Sequence, residues 1–434
     1  MTRTTDMGGL CIKEHIVKAT NKRIEISRDI QYLVLTLYAS SFVIFGCLLD
    51  TPSNIIKGLV RIIKSTDILI TDYMIIGGMA ASFVNSGIIT LICIFLLYYL
   101  KVNMSGMSIA SLFLLSGFAL FGKNIFNIWL IILGVFLYTK VQKERFAKYV
   151  NIALLGTGMS PIITEILFVM NYPIVVRITL SVVIGISIGF VLPPLSSHMM
   201  KFHQGFNLYN IGFTTGIIVT ILVSLFKSYG YVARDTLIWS IGNNLILGEF
   251  LSLIFLAFII TGFYLNGLSL DGVSNIFGYS GRLICDFVLM EGFPSTLINM
   301  GLNGFLGMGY ILLAGGSLNG PTVGGILTIM GFGGFGKHWK NITPTLFGVF
   351  MGSIIKLWSI HDPKILIAAL FGTSLAPISG HFGWQYGVIA GFINASVVLN
   401  ISALSGGINL YNTGFAAGVV AAMLVPIIEA FQKG

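Results

Sequence analysis

The sequence predicts an all-α protein: a polytopic bundle of transmembrane helices, built from two homologous halves. Three observations predict it: scarcity of charge, a succession of apolar runs, and an internal repeat. Of the 434 residues 55% are hydrophobic and only 9% are charged, against roughly 25% charged in a soluble domain. So few charges cannot cover a water-facing surface, whereas lipid accepts apolar side chains all round a helix. The 52 glycines fit a membrane bundle, where small residues let backbones approach closely. The lipid bilayer is therefore the first partner the composition implies.

The runs follow in order. Residues 32–49, 74–100, 129–138, 152–170, 175–192 and 211–226 make the first series. Residues 241–265, 297–313, 346–357, 365–375, 386–404 and 408–428 make the second. A span of about 30 Å takes roughly 20 helical residues, so about twelve crossings are expected, give or take two, with some segments that do not fully cross. Ahead of them, residues 1–30 form a polar tail with Arg3, Lys13, Lys18, Lys22, Arg23 and Arg28, mixed with Glu14 and Glu25. A cleavable signal has a short basic region followed by a short apolar one; this tail instead precedes a full span. The positive-inside rule puts it in the cytoplasm, along with a second basic cluster at Lys140, Lys143, Arg145 and Lys148.

The net charge of +9 has that topological source. No basic stretch is interleaved with exposed aromatics, which argues against a nucleic-acid partner. Cys11, Cys47, Cys93 and Cys285 form no CxxC pair, so neither a disulfide framework nor a zinc site is expected. No metalloprotease, phosphate-loop or nucleophile-elbow motif is present, and no cofactor is implied.

The repeat is the most informative feature. Residues 72–136 align without gaps on 286–350, with 15 of the 65 positions identical. The matches include Asn85 with Asn299, Gly106 with Gly320, and Phe121-Gly122-Lys123 with Phe335-Gly336-Lys337. Gly156-Thr157 and Pro161 return as Gly372-Thr373 and Pro377. Near the end of each half, Asn207-Leu208-Tyr209-Asn210 returns as Asn409-Leu410-Tyr411-Asn412, each followed by x-Gly-Phe. The halves run from 31 to 229 and from 230 to 434, joined through the polar stretch 227–235. Basic residues thin out at the second-half counterparts of the tail and of the 140–148 loop, which favours inverted over parallel halves. Two such halves pack about a pseudo-two-fold axis, with room for a site between them near the membrane midplane.

Candidate site residues follow from that geometry. Residues 301–336 hold thirteen glycines. Within them Asn319-Gly320-Pro321-Thr322 reads as a helix start, with Asn319 as N-cap and Pro321 in the first turn. The run after it, 323–330, is too short to span, and neither is its counterpart 107–120 long enough. Both read as half-helices, whose N-termini would aim free N–H groups at a cavity; a glycine-rich packing seam is the competing explanation. Asn207 and Asn409 read as caps of the last helix of each half, with Asn210 and Asn412 in its first turn. Asn210 and Asn412 are expected to approach a central polar cavity, with Asn85, Asn299 and Asn319 near it. Capping and interhelical hydrogen bonding would explain the same residues structurally.

Ionisable residues inside apolar runs are functional candidates by default. Here they are Glu165, Arg177, Glu249, Glu291 and His381; Glu165 and His381 each stand four residues after a matched proline. Salt bridges or interfacial positions are the alternative for each. Asp72 and Asp286 read as helix caps at the interface, Lys123 and Lys337 as snorkelling side chains. His198 and His203, five apart with no acidic partner, make a weak metal signal.

The Asn-Leu-Tyr-Asn-x-Gly-Phe motifs at 207–213 and 409–415 resemble those of a family of bacterial membrane proteins of unknown function, a likeness covering most of the chain. It implies a multi-pass protein of the bacterial cytoplasmic membrane. The two halves with a Tyr-Asn before a glycine-rich helix are also similar in architecture to urea transporters. The chain departs from their Asn-Pro motif, since Asn341 is followed by Ile342-Thr343-Pro344 and Asn127 has no nearby proline. The leading functional expectation is a transporter or facilitator for a small polar solute. A scaffold or sensor subunit is the alternative; a membrane-embedded enzyme would need a polar catalytic cluster that the sequence lacks. A homo-oligomer is left open.

Overall fold

The computed structural model describes residues 24–232 and 236–432. Most of the basic tail, with Cys11, and the end of the 227–235 connection lie outside the described residues. Everything described is helix or connection, apart from one isolated bridge between Thr71 and Ile238.

Five helices of the first half are α1 (Arg28–Leu49), α2 (Met79–Tyr99), α3 (Gly106–Phe118), α4 (Trp129–Val141) and α5 (Ile174–Met199), and α6 (Asn210–Ser228) closes it. The second half holds α7 (Asn244–Leu265), α8 (Phe293–Leu313), α9 (Gly320–Gly331), α10 (Trp339–Ile355), α11 (Trp384–Ser405) and α12 (Asn412–Gln432). Starts are set by local chemistry: the hydroxyls of Ser27 and Ser105 accept from Ile30 N and Ser108 N and cap α1 and α3. Pro52–Lys64 is a strongly amphipathic helix between α1 and α2, with Lys57, Arg61 and Lys64 on its polar side, the pattern of a helix lying in the membrane interface.

Among the described residues nine helices are long and apolar enough to cross a membrane. A bent pair, Val150–Met159 and Pro161–Val169, angled at 47°, makes up to ten. The chain is thus a multi-pass integral membrane protein. Two of the twelve runs fall short: 129–138 lies in the 13-residue α4 and 346–357 largely in the 17-residue α10. The run 365–375 continues into a longer span, Pro363–Phe382.

The helices pack as matched pairs: α1 against α2, as α7 against α8, and α4 against α5, as α10 against α11. Glycine sets these distances. A Cβ on Gly134 would lie 2.2 Å from the Ile186 carbonyl oxygen, and one on Gly348 2.1 Å from that of Val388. At such crossings one backbone rests directly on another.

In the centre lie α3 and α9, 13 and 12 residues long and almost wholly buried. At about 1.5 Å per residue each is roughly 20 Å long, too short to span. They cross antiparallel. Gly106 at the start of α3 meets Gly334 beyond the end of α9, Leu120 beyond the end of α3 meets Gly320, and Gly117 and Gly324 touch at the crossing.

Candidate functional site

The N-terminus of each half-helix is met by a carboxylate from the opposite half of the chain. Both Asp286 oxygens lie 2.9 Å from Gly106 N at the start of α3, and Asp286 also accepts from Leu289 N at 3.1 Å. Asp72 accepts from Gly320 N at 3.2 Å at the start of α9, from Met74 N at 2.9 Å, and from Ser240 through both N–H and hydroxyl. The helix dipole favours an anion there, and the chain supplies its own. Asp72 and Asp286 do cap the short helices Tyr73–Ile76 and Phe287–Glu291, as expected, but they are buried and also tie the two halves together. Asn319 caps α9 as expected, accepting from Thr322 N at 3.1 Å, and its amide donates to Ser240 O at 3.0 Å.

The C-terminal ends carry the other charges. Asn85 donates to the carbonyls of Ala119 and Lys123 at 2.7 and 2.9 Å. Asn299 donates to those of Gly333 and Lys337, both at 2.8 Å, and Asn303 adds a third bond to Lys337 O at 3.0 Å. These amides satisfy carbonyls left over where the helices stop. Asn299→Leu is expected to strip the Gly333 carbonyl of its side-chain donor, leaving that of Lys337 to Asn303 alone, and to cost about 1–3 kcal/mol, read as a lower unfolding temperature in detergent; an unchanged temperature would contradict this role.

Lys123 and Lys337 follow directly. Both are fully buried, so neither snorkels: each is held at the negative end of a half-helix in the middle of the fold. Lys337 Nζ donates to the hydroxyls of Tyr209 at 2.6 Å and Thr373 at 2.7 Å. Lys123 Nζ stands 5.0 Å from the Phe118 ring centre and makes no hydrogen bond to a protein group.

The tyrosines come from the repeated motif, whose backbone is set by its asparagines. Asn207 Oδ1 accepts from Tyr209 N at 3.0 Å, and Asn409 Oδ1 from Tyr411 N at 3.1 Å. Each motif is stitched into the opposite half: Leu208 N donates to Ser374 O at 2.9 Å, and Leu410 N to Gly158 O at 3.1 Å. Gly205 and Gly407, at φ +81° and +74°, turn the chain so that their carbonyls accept from Leu283 N and Leu69 N at 3.0 and 2.8 Å. The rings of Tyr209 and Tyr411 end up 6.2 Å apart.

Asn210 and Asn412 begin α6 and α12, and each is bonded to groups of its own half. Asn210 Oδ1 lies 3.0 Å from His203 Nε2, and its amide donates to Ser196 O at 3.0 Å. His203 thus ties off a helix start, its other nitrogen facing Asn207 N at 3.4 Å, and no described cluster has three metal-ligating side chains. Asn412 Oδ1 accepts from the Ser405 hydroxyl at 2.9 Å. Asn412 also lines a small cavity of about 40 Å³ with Thr413, Lys364, Leu69 and Ile70.

The ionisable candidates scatter. Glu165 is buried and its Oε1 accepts from the Tyr231 hydroxyl at 3.0 Å. His381 is exposed, beside Phe206 and Phe382, so the pairing of Glu165 with His381 is not kept. Glu249 is exposed. Arg177 donates to Leu167 O at 2.7 Å, and Glu291 accepts from Tyr279 and Asn275.

A buried carboxylate was missed. Asp67 accepts from Asn124 at 3.1 Å, Asn127 at 2.9 Å, and the hydroxyls of Tyr73 and Thr164. Its second-half counterpart, at the same offset as the 72–136 match, is Gly281, so the repeat does not mark it.

The sequence matches a family described as protein of unknown function (DUF1576) over residues 51–228 and 265–430. No curated protein and no solved structure matches the chain.

Proposed function

We propose, for a chain that belongs to the DUF1576 family of proteins of unknown function, that it is a transporter or facilitator for a small polar solute, working as two inverted repeats. The observation that carries this reading is the pair of enclosed half-helices, each ending in a buried lysine. A scaffold has no need to hold an ammonium inside a membrane bundle, where ionisable groups are costly and mark solute or ion pathways. Discontinuous helices at a repeat interface are where transporters build such sites. Inversion is supported by the matched helices α3 and α9 running antiparallel. It is also supported by the reciprocal ties Asp72–Gly320 and Asp286–Gly106.

A cytoplasmic N-terminus is supported by one end of the bundle. There Arg28 donates to Tyr98 O, and Asn151 donates to Ser108 Oγ. These bonds bring the start of α1, the Lys101 turn and the basic 140–148 loop to the same side.

The alternative, a scaffold or sensor subunit, draws on the filled half-helix N-termini and on asparagines engaged by protein groups. The two readings separate in proteoliposomes loaded with urea, glycerol, sodium formate or sodium nitrate and followed by stopped-flow light scattering. Transport predicts at least one solute crossing faster than through protein-free vesicles, with the excess lost in Lys337→Met. Equal rates for all four favour the scaffold.

A further inference from the structure

The two lysine nodes are built from the same residue types but are not in the same state. In the second-half node the ammonium of Lys337 is satisfied by Tyr209 and Thr373. The matched residues of the other node are Lys123, Tyr411 and Thr157. Thr157 donates to Leu154 O at 2.6 Å, as Thr373 does to Leu370 O at 2.6 Å. Lys123 Nζ and the Tyr411 hydroxyl, by contrast, are both buried and make no hydrogen bond to any protein group. They flank one ring: Phe118 lies 5.0 Å from Lys123 Nζ and 4.9 Å, centre to centre, from Tyr411.

An ammonium has three donors and no acceptor, and a tyrosine hydroxyl has one donor. Leaving such groups buried and unpaired is expensive, and no carboxylate is bonded to Lys123. What completes the node must accept hydrogen bonds from both groups, and an anion accepts them most strongly beside an ammonium. It must also be small: Tyr411 packs so tightly on Gly158 that a Cβ there would lie 2.2 Å from its ring.

We propose that Lys123 Nζ and the Tyr411 hydroxyl form a binding site for a small monovalent anion, and that the transported solute belongs to that class. The second clause rests on the transport reading above. Lys337 and Tyr209 then form a matched station in which the tyrosine takes the place of the anion.

The test is thermal unfolding of the purified full-length protein at fixed ionic strength, with sodium gluconate replaced stepwise by bromide, nitrate or formate. A ligand that binds the folded state raises the unfolding temperature in a saturable way. One of these anions is expected to do so, with Lys123→Met abolishing the effect. Tyr411→Phe, which removes a single oxygen, is expected to raise the half-saturating concentration about tenfold or more. Absence of saturable stabilisation in the unmodified protein, or the same stabilisation in a folded Tyr411→Phe protein, overturns the site. Flux of urea or glycerol without anion stabilisation overturns it while leaving transport standing. Saturable stabilisation with no flux of any solute supports the site and overturns the transport reading instead.

Discussion

Replacing Asp72 with alanine is expected to lower the stability of the folded protein by about 3–5 kcal/mol, the range found when one partner of a buried, charge-assisted network is removed. The reason is the number of groups that lose an acceptor together. Gly320 N at the start of α9, Met74 N, and both donors of Ser240 converge on this carboxylate. Gly320 and Ser240 lie in the second half of the chain, so the loss also loosens one half from the other. Asp72→Asn should fall between, because one acceptor oxygen remains while an amide N–H₂ now faces Ser240. Chemical unfolding of the purified protein in detergent measures this. A loss of less than about 1 kcal/mol for Asp72→Ala would mean that water replaces the carboxylate freely.

The second large effect lies at the crossing of the half-helices. A Cβ on Gly106 would sit 1.9 Å from the carbonyl oxygen of Gly334, and one on Gly117 2.6 Å from that of Gly324. Backbone on both sides leaves no flexible side chain to yield. Gly106→Val is therefore expected to exceed the usual overpacking cost of about 1–3 kcal/mol and to yield little folded protein by size-exclusion chromatography. Gly309 in α8 has no neighbour within 4 Å of a Cβ position. Gly309→Ala should be neutral or stabilising by up to about 1 kcal/mol, since alanine is the better helix former. Equal recovery of Gly106→Val and Gly309→Ala would contradict the close antiparallel crossing.

Much of the fold was legible because membrane burial writes itself into sequence. Apolar runs gave the long helices, and the Asn319-Gly320-Pro321-Thr322 start gave α9 to the residue. Crossing number was less legible. The runs 129–138 and 346–357 are as apolar as the others, but their helices are too short, and hydropathy alone does not reveal where a helix stops. The site was half legible. Asn85 and Asn299 stood out by recurring, and they share one role, each donating to carbonyls where a half-helix stops. The lysines also recur, yet the surroundings of each include a tyrosine arriving from the opposite half, Tyr209 at Lys337 and Tyr411 beside Phe118 and Lys123, which no local pattern encodes. Asp67 was invisible for the opposite reason. Its partners Tyr73, Asn124, Asn127 and Thr164 are spread over the first half, and its counterpart is a glycine.

A site shared between inverted halves requires the two halves to face opposite sides of the membrane. Lys101, just after α2, and Gly315, just after α8, are matched and exposed turn positions. In a background lacking Cys11, Cys47, Cys93 and Cys285, Lys101→Cys and Gly315→Cys can be labelled in intact cells with a membrane-impermeant maleimide. Inverted halves with a cytoplasmic N-terminus predict that the cysteine at 315 labels from outside and that the one at 101 labels only after permeabilisation. Labelling of both from the same side would contradict the inversion, and with it the placing of a shared site between the halves.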